Sequence, residues 1–256
     1  MYKEMKSLGN WLVYTAFIAL FLASCFEPPV YSKIPAIEFD NITFIDVANP
    51  SDPDSLILSI KFKDGDGDLG LDANNPYDTM YPYHNKAFFD TTGAKYYYQA
   101  FDPFFISYKT KRTNPKFDTL PAFAKPYYCV NWEVKTSGNK VDTFYYELNP
   151  NHHNIFIDFL VKNNDGTFKE FDWMKEFAYP NCGITLDGRF PVLSKDLGRA
   201  SPLDGKIRYA MGSVGYTILF SIKTLKLRIM IQDRGLNKSN IIETPEFTLQ
   251  QIKKAG

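Results

Sequence analysis

Several features that define common protein classes are missing from this 256-residue sequence. Its 29 Lys and Arg residues are balanced by 29 Asp and Glu residues, so the charge does not indicate the positive surface that binds nucleic acid. No segment of useful length shows the 3.6-residue period of a helix, and no internal repeat is present. We therefore expect neither a helical or repeat architecture nor a nucleic-acid partner.

Motifs of familiar catalytic sites are also missing. The sequence has no Gly-x-Ser-x-Gly elbow, no His-Glu-x-x-His and no phosphate-binding glycine loop. Of its three histidines, His152 and His153 are adjacent, which on a strand directs them to opposite faces, and His84 is distant in sequence. We predict a solvated loop at 152–153 and no catalytic residues. A glycosidase acid pair is defined by separation in space, and no such pair is evident from the sequence.

Aromatic residues are abundant, with 17 Tyr and 22 Phe, and they suit the pleated surface of a sheet. Short alternating segments separated by turn residues predict strands. Asp165-Gly166 and the turn at 137–139 each predict a hairpin, and Pro245 predicts an edge strand. The predicted strands are 36–47, 56–63, 96–98, 104–108, 127–135, 141–148, 155–162, 167–171, 206–211, 216–222, 225–232 and 241–249.

The N-terminus resembles a bacterial lipoprotein precursor. An apolar run at 11–22, too short to span a bilayer, ends in Leu22-Ala23-Ser24-Cys25, which is similar to a lipobox. The resemblance implies a signal peptide at 1–24, cleavage before Cys25 and acylation of its thiol and new amino group. The Pro-rich segment 25–35 then reads as a lipid-anchored tether. An ordinary signal peptide with a chance cysteine is the alternative.

Two further cysteines, Cys129 and Cys182, remain in the mature chain. In an oxidising compartment they can form a disulfide. They can equally remain as two buried thiols, because cysteine is often buried. Neither their spacing nor their context decides between these alternatives.

The loop Asp64-Gly-Asp-Gly-Asp-Leu-Gly-Leu71 follows a predicted strand and concentrates carboxylates. Calcium prefers six to eight oxygen ligands, and we predict a structural Ca²⁺ site here. It is not an EF-hand, since the sixth and twelfth positions hold Leu69 and Asn75. The alternative is a polar turn whose aspartates bond their own backbone. The predicted ligands are Asp64, Asp66, Asp68, Asp72 and, from a distant loop, Asp233, with Asn237 as a weaker candidate.

This loop, the segment 201–209 (Ser-Pro-Leu-Asp-Gly-Lys-Ile-Arg-Tyr) and the segment 231–240 (Ile-Gln-Asp-Arg-Gly-Leu-Asn-Lys-Ser-Asn) occur together. The set resembles a group of Bacteroidota lipoproteins to which no activity is attached. At fold level it is similar to immunoglobulin-like or cadherin-like sandwiches, where an early and a penultimate strand deliver their loops to one end. That likeness implies that Asp233 approaches the aspartate loop. The adjacent pair Asp233-Arg234 has a second interpretation, in which it braces the loops by a charge-assisted hydrogen bond. This is compatible with metal binding only if another group binds the arginine.

We therefore expect an all-β, immunoglobulin-like antiparallel β-sandwich at 36–252 with a long insertion at about 73–125. It would be a non-enzymatic binding or structural module, stabilised by calcium and lipid-anchored in the cell envelope, at the outer membrane of a Gram-negative bacterium. The aromatic run 77–108 carries the alternative, which is a glycan-binding component or a carbohydrate-active enzyme. The expected partners are the membrane and a protein or glycan.

Overall fold

Strands dominate the part of the chain that the computed structural model describes, which is residues 29–47, 52–97, 105–123, 131–137, 139–173, 185–213 and 215–255. Residues Tyr31–Gly256 form one unit. The helices bounded within the described residues are all short: the α-helices α1 (Tyr108–Thr113) and α2 (Tyr216–Phe220), and 3₁₀ turns at Pro76–Thr79, Pro115–Phe117 and Pro150–His152. None of the described helices has the length and apolar character needed to cross a membrane.

The strands are numbered in chain order. They are β1 (Ala36–Asp46), β2 (Asp54–Asp64), β3 (Lys86–Phe89), β4 (Lys95–Tyr96), β5 (Trp132–Ser137), β6 (Lys140–Leu148), β7 (Ile155–Lys162), β8 (Phe168–Glu170), β9 (Leu203–Ser213), β10 (Leu225–Ile231), β11 (Ile242–Glu243) and β12 (Lys253–Ala255).

The strands form three four-stranded sheets with the orders β12-β1-β2-β9, β11-β10-β7-β8 and β4-β3-β6-β5. Neighbours run antiparallel, except that β12 is parallel to β1. In the first two sheets, β1-β2-β9 and β11-β10-β7-β8 follow the A-B-E and G-F-C-C′ orders of an immunoglobulin-like sandwich. The predicted all-β antiparallel sandwich is therefore confirmed.

Alternation of apolar and polar residues explains why the two sandwich sheets pack together. In β10, Leu225, Leu227, Ile229 and Ile231 are fully buried, while the residues between them are only partly so. Apolar residues at alternate positions of β2 and β7 join them in one shared hydrophobic cluster. Because a strand directs successive side chains to opposite faces, each sheet has one apolar face, and these two faces pack against each other to form the core.

The third sheet is an insertion between β2 and β7, and it extends further than the expected 73–125. Strands β5 and β6, expected in the sandwich, pair with each other and with β3 in this sheet. They form the predicted hairpin, but alternation in a hairpin does not specify which sheet it joins. The insertion has two hydrophobic clusters of its own, separate from the sandwich core.

Two predicted strands adopt other structures. The prediction of a strand at 216–222 was wrong, because α2 occupies this segment. A helical turn places Tyr216 and Phe220 on one face, and both are fully buried, whereas Ile218 is 83% exposed. The segment 104–108 contributes isolated bridges at Phe105 and Ser107 before α1 begins.

Strand β11 lies at a sheet edge, as Pro245 predicted, but it is only two residues long.

The helical turn α2 predicts a large effect of one substitution and almost no effect of a neighbouring one. Phe220→Ala removes a fully buried ring that stacks on Phe159, and should lower the free energy of unfolding by about 3–5 kcal/mol. Ile218→Ala alters an exposed side chain and should change it by less than about 0.5 kcal/mol. Urea unfolding of both variants measures this. Equal losses would indicate that 216–222 is a strand with both side chains facing the core.

Candidate metal centre

Two loops meet at one end of the sandwich because β2 and β10 both finish there. Residues 65–72 follow β2, and residues 232–240 follow β10. The backbone N–H of Arg234 donates to the carbonyl of Asp68 at 3.3 Å, and the charge of Asp233 acts on both Asp64 and Asp68. The structure thus brings Asp233 to the aspartate loop, as the likeness to immunoglobulin-like sandwiches implied.

The three aspartates of the loop form a compact group. Asp64, Asp66 and Asp68 each offer a carboxylate oxygen, and these oxygens lie within 4.8 Å of one another. Asp64 is fully buried. The Oδ1 atoms of all three are buried and lack a hydrogen-bond partner. Buried polar atoms are almost always partnered in native proteins, so these three oxygens require a further group to interact with.

The electrostatics of the group are unfavourable to three bare carboxylates. Burial, with the charges of Asp66, Asp68 and Asp233, raises the pKa of Asp64 to about 7. Burial, with the charges of Asp233 and Asp66, raises the pKa of Asp68 to about 6. Burial also raises the pKa of Asp233. A divalent cation would remove this penalty, because it neutralises the charge and supplies the missing partner.

Glycines allow the loop to take this shape. Gly67 has φ +69°, and a Cβ there would lie 2.3 Å from the Ser201 carbonyl oxygen. Gly70 has φ +104°, and a Cβ there would lie 2.2 Å from the Pro191 oxygen. Only glycine combines a positive φ with so close an approach of another backbone. The segment 191–203 therefore forms a wall of the site, and its Ser201 N–H donates to the Asp66 carbonyl at 3.1 Å.

Two predicted ligands have different roles. Asp72 lies outside the compact group: its Oδ1 accepts from the Asn74 N–H at 2.8 Å, and its own N–H donates to Asp78 Oδ2 at 2.8 Å. Asn237 holds Asp233, donating to its carboxylate from the backbone N–H at 2.7 Å and from Nδ2 at 2.8 Å. Asp233 is thereby oriented beside the loop.

Arg234 is bound by a group outside the three-aspartate cluster. Its guanidinium donates to the two carboxylate oxygens of Asp78 at 2.8 and 2.5 Å, and to the Gly70 carbonyl at 3.2 Å. Asp78 is fully buried. Although burial opposes its charged form, the hydrogen bonds and charge of Arg234 hold the pKa of Asp78 below its usual range. The condition under which this arginine is compatible with a neighbouring cation is therefore met.

Arg189 and the histidines complete a polar hub that sequence reasoning missed. Arg189 donates to the backbone carbonyls of Asp78 at 2.9 Å, Tyr83 at 2.8 Å and His152 at 2.5 Å. The rings of His152 and His153 lie 5.2 Å apart. Both are half-buried, which differs from the solvated loop predicted here. No local sequence signal identifies Arg189, because its partners come from two distant segments.

His84 also reaches this hub, although it is distant in sequence. Burial, with the charges of Arg189, His153 and His84, lowers the pKa of His152 to about 4, although the hydrogen bond of its Nδ1 to the Tyr83 carbonyl acts in the opposite direction. Within the described residues, however, the aspartates form the only group of three or more His, Cys, Asp or Glu side chains at metal-binding distance. The histidines therefore form no metal site in this arrangement.

The remaining predicted site residues lie outside the described residues. Cys25, predicted to carry lipid, and Cys129 and Cys182, predicted as a possible disulfide, belong to the segments 1–28, 124–130 and 174–184. Their predictions are unchanged by the structure.

Comparisons of the chain with protein-family models, with curated proteins and with solved structures find no match. The resemblance to Bacteroidota lipoproteins therefore stays a prediction. A fold supports many functions, so the function has to be argued from the site.

Loss of Arg189 should destabilise the junction between the insertion and the sandwich. Arg189→Met leaves three backbone carbonyls without their charged donor, and should cost about 2–4 kcal/mol in the free energy of unfolding. Arg208→Met, at an exposed position of β9, is the matched control and should cost less than about 0.5 kcal/mol. Urea unfolding measures both, and equal costs would contradict a role for Arg189 at the junction.

The hub should also weaken in acid. The folded-state pKa of His152, about 4, lies below its ordinary value of 6.5. Its contribution to stability is thus fully present above about pH 6.5 and is lost as the pH falls towards about 4. The His152→Gln variant cannot be protonated at this position. Its free energy of unfolding should therefore fall by roughly 1–3 kcal/mol less than that of the wild type over this pH range, allowing for the partial exposure of the side chain. Urea unfolding of both proteins at several pH values tests this. If the free energy of unfolding of the wild type and of His152→Gln changed equally with pH, a contribution from His152 would be excluded.

Proposed function

We propose that this chain is a non-enzymatic binding or structural module whose loop end is stabilised by calcium. The observation that carries the proposal is the group Asp64, Asp66 and Asp68, whose buried Oδ1 atoms have no hydrogen-bond partner. Asp233, which lies outside this compact group, adds a nearby negative charge from the other loop. Calcium accepts many oxygens in flexible geometry, whereas magnesium demands a near-ideal octahedron and retains several waters. A crowded carboxylate loop therefore favours calcium.

The role of this cation is structural. The loop after β2 contacts the segment 191–203, the loop after β10 and the N-terminal segment, through Ser201, Arg234 and Ser32 respectively. The Gly65 N–H donates to the Ser32 carbonyl at 2.8 Å. A cation at the aspartates would thus stabilise four chain segments at one end of the sandwich.

The cellular location is part of the proposal. The lipobox-like Leu22-Ala23-Ser24-Cys25 supports export and a lipid anchor on Cys25, at the outer membrane of a Gram-negative bacterium. Acyl chains on one cysteine would hold the domain at the membrane surface, since each buried methylene contributes about 0.8 kcal/mol. The binding partner of this membrane-anchored domain would be a protein or a glycan.

The second candidate function is a glycan-binding component or a carbohydrate-active enzyme that uses the aromatic insertion. Most described rings of the insertion fill its two clusters, which favours core packing. Tyr77 and Tyr81 lie outside both clusters and are 76% and 72% exposed, and they support this alternative. The Tyr81 and Tyr97 rings meet at 62° and do not form a flat stacking platform, so the calcium-stabilised module remains the better supported function.

Calcium should raise the melting temperature of the soluble chain from residue 26. A ligand at a hundred times its dissociation constant stabilises the folded state by about 2.7 kcal/mol. For a domain of this size, each kcal/mol raises Tm by roughly 2–4 °C, so a shift of about 5–10 °C is expected. Differential scanning fluorimetry with calcium and then with a chelator measures it.

Two isosteric variants of the same loop sharpen this measurement. Asp66→Asn removes a carboxylate of the compact group and should abolish most of the calcium shift. Asp72→Asn removes a carboxylate that lies outside the group, and should retain the full shift. No shift of the wild type at millimolar calcium would exclude the proposed cation, and an equal loss in both variants would place the cation elsewhere in the loop.

A further inference from the structure

We propose that Asp78 is a positioning residue for the cation site, which holds the guanidinium of Arg234 away from the loop carboxylates and so leaves them free for calcium. The inference rests on the calcium site proposed above and assigns a role to a residue of the insertion that is not itself a ligand. It also identifies the group that determines whether the site binds a cation or an internal arginine.

The backbone of Arg234 already lies at the site. Arg234 follows Asp233 directly, and its N–H donates to the Asp68 carbonyl at 3.3 Å. The charge of Arg234 also acts against the overall rise in the pKa of Asp68, as expected for an arginine close to the loop. A guanidinium is always charged and matches a carboxylate through two parallel hydrogen bonds, so it is an effective competitor for unpartnered carboxylate oxygens.

Asp78 removes this competitor by binding it. The Arg234 Nη1 and Nη2 atoms donate to Asp78 at 2.8 and 2.5 Å, and Nη1 also donates to the Gly70 carbonyl at 3.2 Å. The guanidinium carbon lies 5.8 Å from the centre of the Tyr83 ring. The planar side chain is therefore held on the Asp78 side of the loop, where its charge is paired.

Asp78 is itself fixed by groups other than Arg234. The Asp72 N–H donates to its Oδ2 at 2.8 Å, and Arg189 Nη1 donates to its backbone carbonyl at 2.9 Å. It lies in the 3₁₀ turn Pro76–Thr79, which Asn75 caps. The carboxylate is thus presented to the arginine by the folded turn of the insertion. Because of this, docking of that turn and cation binding should be energetically coupled.

Calcium affinity, measured by isothermal titration on the soluble chain, tests the proposal. Asp78→Asn should bind calcium at least tenfold more weakly than the wild type, because Arg234 is then free to pair with the loop carboxylates. The double variant Asp78→Asn with Arg234→Gln should return to within threefold of the wild type, since the competitor is gone. Asp118→Asn, at an exposed position of the insertion, controls for loss of one acidic charge and should bind as the wild type does.

A second pair of variants keeps the test decisive if Asp78→Asn does not fold. Arg234→Lys retains the charge but cannot make the two-pronged bond to Asp78, so its ammonium is free to move and should weaken calcium binding. Arg234→Gln loses the charge and should bind calcium as tightly as the wild type or more tightly. A purely structural role of the pair would instead make Gln at least as harmful as Lys.

The outcomes separate this inference from the proposed function. If the wild type does not bind calcium, the proposed site fails, and the inference fails with it. If the wild type binds calcium and folded Asp78→Asn binds it equally well, the site stands and the role of Asp78 is refuted. Weak binding by the double variant would also refute it, because the loss would then not come from Arg234.

Discussion

Repulsion among buried carboxylates is the constraint on which this end of the molecule depends. Asp64 ends the core strand β2, and Asp66 and Asp68 follow it, so burial of β2 brings the Oδ1 atoms of all three out of solvent. Loss of hydration and the charges of neighbouring aspartates disfavour the charged forms of Asp64 and Asp68. The neighbouring structure reflects this constraint: glycines let other backbone segments approach, and the nearest arginine is bound by a separate acid.

The scaffold and the insertion are stabilised by different interactions. The sandwich depends on alternating apolar residues of β2, β7 and β10 that share one cluster, whereas the insertion fills separate aromatic clusters. Part of their connection is polar, through Arg189 and the Asp78–Arg234 pair. Fully satisfied polar networks specify one geometry more narrowly than apolar contacts do, because each unpaired member is costly. The hub therefore determines the orientation of the first turn of the insertion.

The sequence predicted what is encoded locally. The strict alternation at 225–231 and the spacing of the aspartates could be recognised without a structure. The strand order of similar sandwiches predicted that Asp233 approaches the loop. The hub could not be predicted, because Asp78, Arg189 and His84 belong to segments that meet only when the insertion docks. The helix at Tyr216–Phe220 was missed since its aromatic and β-branched residues suit strands, and only burial of Tyr216 with Phe220 reveals the helical spacing.

The position of the hub has a consequence for how such a module would respond to its surroundings. The Asp78 turn belongs to the insertion and contacts both loops of the site, the loop after β2 through Asp72 and the loop after β10 through Arg234. Coupling between two binding events is reciprocal, so a cation that stabilises the loop must favour the docked insertion by the same factor by which docking favours the cation. Calcium-binding modules outside cells work with dissociation constants of about 0.1–1 mM, and a site in that range would be responsive to such coupling. A partner that contacts the turn at Pro76–Thr79 would then alter calcium affinity without touching any ligand of the cation.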